Sequence, residues 1–127
     1  MLTLQTERFG DVSVIHCQGR IVLEDAAYQL RDVVRAERSA KTILIDFSDV
    51  QALEGGGLGM LLYLQRWTRE RDITFCIFDP PERVRHSLAR FRAAVEIADS
   101  GDVLSLLGWK TPTFTDHADH TQYRRAA

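Results

Sequence analysis

At 127 residues the chain has the length of one domain able to bury a core without disulfide or metal staples. A hydrophobic fraction of 45% and a charged fraction of 27% are ordinary for a water-soluble globular protein, which excludes a disordered or fibrous chain. The formal net charge of −2 gives no electrostatic basis for nucleic acid or an anionic membrane as partner.

The N-terminal stretch, Met1 to Arg8, lacks a basic start and a long apolar middle and is not expected to act as a signal peptide. No apolar run approaches the roughly 20 residues of a membrane span. Leu2 to Arg8 alternates apolar and polar residues, as an edge strand does. Gly10-Asp11 is a turn signal, and Val12 to Cys17 reads as a second strand, so the two form a hairpin. From Glu24 to Ala36 the pattern is helical: Ala26, Ala27, Leu30, Val33 and Val34 share one face. Glu24 and Asp25 suit the positive end of that helix and Arg35 the negative end. Thr42 to Phe47 is a continuous apolar strand, the pattern of one covered on both faces.

Gly57 to Arg69 predicts a second helix and Ile73 to Phe78 another buried strand. Asp79-Pro80-Pro81 punctuates, and a third helix runs to about Phe91 on Val84, Leu88 and Phe91. A short strand, Ala94 to Ile97, and a last helix from about Ser100 to Leu107 follow, with Ser100 as N-cap and Gly108 closing it. Beyond Gly108 the sequence is polar and unpatterned. Residues 1–108 are therefore expected to form the domain and 109–127 a disordered tail. The architecture is α/β: a mixed sheet with an N-terminal antiparallel hairpin and parallel strands, covered by about four helices. Cys17 and Cys76 lie inside apolar strands and read as buried thiols in a reducing compartment, which points to the cytoplasm.

The stretch richest in implication is Ala52-Leu53-Glu54-Gly55-Gly56-Gly57-Leu58-Gly59, between a buried strand and a helix. Glycines there can offer backbone N–H groups to an anion or let another surface come close. The loop has no nucleophile, no Lys and no Ser or Thr, so it is neither a P-loop nor a dinucleotide fingerprint. It reads as a contact surface. The helix behind it is apolar nearly all round: Leu58, Leu61, Leu62 and Gln65 on one face, Met60, Tyr63, Leu64 and Trp67 on another. A sheet covers one such face, so the second is expected either to be buried by the first or third helix or to meet a partner or a second copy of the chain.

Other candidates carry less. Glu54 is a loop carboxylate at a helix N-terminus rather than a general base. His117 and His120, with Asp116 and Asp119, are ligand types in an unpatterned tail, so neither metal nor cofactor is expected. His16 reads as a core or cross-strand residue. Arg83, Arg85, His86, Arg90 and Arg92 read as the solvated face of the third helix rather than a nucleic-acid site. Asp46 at a strand end lacks the other acidic pair and the later Lys of a phospho-receiver.

Three segments carry a family resemblance: Gly19-Arg20-Ile21, Ile43-Leu44-Ile45-Asp46-Phe47-Ser48-Asp49-Val50, and Gly57-Leu58-Gly59. With the element order, they resemble the STAS domain, the fold of bacterial anti-sigma-factor antagonists, over about residues 2 to 107. In that family the last segment closes an Asp-Ser-Ser-Gly-Leu-Gly loop whose first Ser is phosphorylated by a partner kinase that doubles as anti-sigma factor. Here Glu54 matches the Asp, Gly55 the phosphorylated Ser and Gly56 the Ser after it. Glycine has no hydroxyl to phosphorylate.

The resemblance thus implies a cytoplasmic, non-enzymatic regulatory module of a bacterium. Together with the glycine loop and the apolar second helix, the resemblance implies that it would bind a protein, an anti-sigma factor or serine kinase, through Glu54, Gly55, Gly56, Gly57, Leu58, Met60, Tyr63 and Trp67, with no phospho-switch at the usual loop. A small-ligand or nucleotide sensor built on the glycine-rich helix N-terminus is the alternative from another class. A scaffold subunit of a larger stress-sensing or lipid-transport assembly is a third.

Overall fold

The computed structural model describes residues 2–90 and 96–98. Strands β1 (Leu2–Phe9) and β2 (Val12–Ile21) form the hairpin, followed by α1 (Glu24–Ala36), β3 (Thr42–Leu53), α2 (Gly56–Arg69), β4 (Thr74–Phe78), α3 (Glu82–Arg90) and β5 (Glu96–Ala98). The sheet runs β1-β2-β3-β4-β5, antiparallel between β1 and β2 and parallel from there on. This is the expected mixed α/β architecture. Three helices stand among the described residues. The fourth expected one, 100–107, and the tail 109–127 lie outside them.

Phe9 pairs with Val12, so Gly10-Asp11 is a two-residue hairpin loop. Gly10 has φ +61° and Asp11 no positive φ, the pattern of a type II′ turn, which matches the twist of its strands.

α1 matches its predicted span, because its apolar stripe and end charges agree. The strands around the loop edge run further than predicted. β2 continues through Gln18-Gly19-Arg20 and β3 through Ser48 to Leu53. Register shifts between His16 and Gln18 and between Gly19 and Arg20 keep these polar segments paired. Gly19 adopts φ 121°, a conformation that favours glycine at such an irregularity.

The main core lies between the sheet and the helices. Ile15, Cys17, Ile43, Ile45, Phe47 and Ile77 face Leu30 and Val34 of α1, Leu61, Leu64 and Trp67 of α2, and Val84 and Leu88 of α3. A smaller cluster, Val14, Leu44, Cys76 and Phe78 with Phe9 and Val12, occupies the other face. Burial on both faces explains why β3 opens as a continuous apolar run. Each fully buried Leu or Ile here contributes about 1.5–3 kcal/mol. The two cysteines are free and buried, one in each layer. Burial pushes the Cys17 thiol well up, and the Asp46 charge adds to it.

Candidate protein-binding surface

Parallel strands bring the loops that follow them to one edge of the sheet. At this edge the loop after β3 meets the segment after β2. The Glu54 N–H donates to the Ile21 carbonyl (3.2 Å), which ties the end of β3 to the end of β2. Gly55 then adopts φ +53°, ψ −118°, which L side chains rarely adopt. A Cβ at Gly55 would stand 3.8 Å from the Val22 carbonyl oxygen, so the loop lies directly against the entry to α1. At Gly56 and Gly59 an added Cβ would meet nothing within 4 Å. Gly56 and Gly59 are exposed bare backbone; Gly57 is buried.

The N–H groups of Gly57, Leu58 and Gly59 donate to the Glu54 and Gly55 carbonyls at 3.0, 3.1 and 3.2 Å. These amides close the first turn of α2 on itself, which leaves them poorly placed to cradle an anion. An open depression of about 280 Å³ adjoins the loop, lined by Leu53, Glu54, Gly55, Leu58, Ser87 and Arg90.

α2 does not divide its apolar residues as helical spacing suggests. Leu61, Leu64 and Thr68 are buried, and Trp67 is only 5% exposed. Trp67 is therefore a core residue and not part of an outer surface. α2 packs on the sheet and beside α1, and the indole lies near the guanidinium groups of Arg71 (4.4 Å) and Arg35 of α1 (6.0 Å). Met60 and Leu58 are half-buried against the same core. Of the expected contact residues Glu54, Gly55, Gly56 and Tyr63 are exposed, and Gly57 is buried under the loop. Leu62, assigned to the other face, is exposed beside Tyr63.

Sequence reasoning missed Leu23. It is the N-cap of α1, 70% exposed, and makes no side-chain capping bond. Ser, Thr, Asp or Asn is the norm at such a position. A large apolar residue spent there on water, directly before Glu24-Asp25, was the available signal. Leu23 follows Val22, whose carbonyl adjoins Gly55, so the exposed Leu stands at the same edge as the glycine loop.

His16 is the expected cross-strand residue: it bonds Glu7 and Asp46. Asp46 is 4% exposed and accepts from the backbone N–H and hydroxyl of Ser48, an arrangement closed to a phosphoryl donor. Arg83, Arg85, His86 and Arg90 are exposed on α3 while Val84 and Leu88 are buried, as a solvated face requires. Among the described residues no group of three His, Cys, Asp or Glu side chains could hold a metal ion. His117, His120 and Arg92 lie outside those residues. No helix among them is long and apolar enough to cross a membrane.

The STAS domain pattern matches residues 3–105 of the chain. Among solved structures, the anti-sigma factor antagonist SpoIIAA in its unphosphorylated form is 17% identical, with a TM-score of 0.72 over 85% of this chain and 99% of that one. An anti-sigma factor antagonist from Mycobacterium paratuberculosis is 21% identical, with a TM-score of 0.67 over 84% and 94%. The phosphorylated form of the Bacillus cell fate determinant SpoIIAA is 18% identical, with a TM-score of 0.62 over 76% and 90%. At these identities the likeness is one of fold. No curated protein sequence matches the chain.

Proposed function

Because the chain belongs to the STAS domain family, we propose that it is a non-enzymatic regulatory module of the anti-sigma-factor antagonist kind. It binds a protein partner, an anti-sigma factor or serine kinase of a bacterial cytoplasm, through the edge formed by Leu23, Glu54 to Gly56, Gly59, Leu62 and Tyr63. Leu58 and Met60 support that edge from beneath. Binding is not switched by phosphate at the usual loop, since Gly55 has no hydroxyl to carry it.

The observation that carries this reading is the exposed backbone of Gly55, Gly56 and Gly59, with exposed Leu62 and Tyr63 one turn beyond Gly59 on α2 and exposed Leu23 at the same edge. Unobstructed backbone beside apolar and aromatic side chains favours close protein contact. The same loop serves the ligand-sensor alternative poorly, because three of its amides bond within the first turn of α2.

Affinity capture from extract of the native cell, with wild type and Leu62→Asp side by side, tests the proposal. Wild type should retain a kinase-like anti-sigma factor that the variant loses. Equal recovery by both proteins would place the interface elsewhere.

A further inference from the structure

β1, β2 and β3 each contribute one ionisable side chain to a row across the sheet. His16 Nε2 lies 2.7 Å from Glu7 Oε1, and His16 Nδ1 lies 2.7 Å from Asp46 Oδ2. The register accounts for the row: His16 stands opposite Gln5 on one side and Asp46 on the other, with Glu7 one pleat further along β1. The Asp46 end is nearly closed, with 6% of its side chain exposed, whereas Glu7 and His16 keep 23% and 24%. Ser48 donates its backbone N–H and its hydroxyl to Asp46 Oδ1 at 2.9 and 2.7 Å, which favours the ionised carboxylate.

Counting protons sets the state of the row. A neutral imidazole has one N–H and one lone pair, and ionised carboxylates only accept. Two short contacts to two carboxylates therefore need both ring nitrogens protonated, and imidazole is more basic than either carboxylate. A neutral ring would turn a lone pair toward one carboxylate at 2.7 Å. Asp46 is the deeper and the better anchored, so it keeps the N–H. Glu7 loses its bond, and its other oxygen, Oε2, is buried without a hydrogen-bond partner.

We propose that Glu7, His16 and Asp46 form a protonation-gated clamp on the edge strand. With an imidazolium in the middle, β1 is tied through β2 to the centre of the sheet; when the ring loses its proton, Glu7 is released and β1 loosens. Among the described residues, the charged groups that face the ring are Glu7 on β1 and Asp46 on β3. The Cys17 thiol of β2 lies in the opposite layer and the Cys76 thiol of β4 in the same one. Arg8 turns away, to the Gly10 carbonyl and Glu37. Both facing groups are anionic and favour the imidazolium. The hydrogen bond to Asp46 raises His16 above 6.5 most strongly, and burial partly opposes it. A folded value above the unfolded one means that the clamp is fully present below the unfolded pKa and is lost as pH rises through the folded pKa.

Nitrogen-15 NMR of the His16 ring and amide exchange in β1, both followed against pH, test the clamp. In wild type, the His16 midpoint should lie above that of an exposed histidine. The opening equilibrium of β1 should rise about tenfold between about pH 6 and about pH 9, after correction for intrinsic exchange. In Glu7→Gln the new amide can donate to the bare Nε2, so the network closes around a neutral ring. The midpoint should then fall below that of wild type and β1 opening should no longer climb with pH. Glu7→Ala should show at about pH 6 the β1 opening that wild type shows only at about pH 9. A wild-type midpoint at or below the ordinary value, β1 opening independent of pH, or an unchanged midpoint in Glu7→Gln would overturn the proposal.

Discussion

Gly57 rests on Ile21 so closely that no side chain fits between them. A Cβ at Gly57 would collide with the Ile21 carbonyl oxygen and lie 2.8 Å from Ile21 Cγ2 and 3.0 Å from Leu53 Cδ1. The N-terminus of α2 is thereby seated on the ends of β2 and β3, which fixes the loop ahead of it. Gly57→Ala should cost about 1–3 kcal/mol or more, since backbone rather than a flexible side chain must give way. Gly59→Ala adds its methyl to open space on a helix and should stabilise by about 0.5–1 kcal/mol. Urea denaturation of the two variants reads both signs, and a harmless Gly57→Ala would mean that the seat is loose.

At Leu23 stability and binding should move in opposite directions. Its backbone, at φ −94° and ψ 158°, is already that of a residue able to cap a helix. Leu23→Ser should therefore raise stability by about 0.5–2 kcal/mol through the capping bond that Leu cannot make. The same change removes apolar surface from the proposed edge and should weaken partner binding. If affinity is unchanged, Leu23 stands outside the interface.

Trp67 should behave as a core residue. Trp67→Ala should destabilise by about 3–5 kcal/mol, which thermal unfolding can measure. Affinity per folded molecule, determined by calorimetry below the unfolding range, should be little altered. A loss of binding in a variant that is still folded would return the indole to the contact surface.

The residues that were legible from sequence are those whose environment is local. α1 is legible to the residue because its apolar stripe, acidic first turn and Arg35 agree. β2 and β3 run past their predicted ends because Gln18-Gly19-Arg20 and Ser48-Asp49 carry no apolar pattern, while pairing continues through two register shifts, each of which gives β3 one residue more than β2. Helical period gave the direction of Trp67 but not what lies there, and α1 lies there. The Glu7, His16 and Asp46 row joins residues on three strands, and a spacing of 30 positions between His16 and Asp46 leaves no local trace. Leu23 fell between two recognised elements, where neither period applied.

Whether charge at the loop controls binding can be tested at Gly56 more cleanly than at Gly55. Gly55 has φ +53°, so any side chain there carries backbone strain of about 1–3 kcal/mol, and Gly55→Ser or Gly55→Asp would confuse strain with charge. Gly56 opens α2 with no positive φ, and an added Cβ meets nothing within 4 Å. Gly56→Asp places a carboxylate at the positive end of the helix, where it should leave stability unchanged or raise it by about 0.3–1 kcal/mol. The same carboxylate stands on the proposed edge, so burying it under a partner would require desolvation without a paired cation. Gly56→Asp should therefore retain its melting temperature and bind about tenfold or more weakly, while Gly56→Ala should bind as wild type does. Calorimetry with the captured partner separates these outcomes. Equal affinity for all three proteins would remove the glycine loop from the interface and leave the exposed apolar side chains without the backbone contact that ties them into one surface.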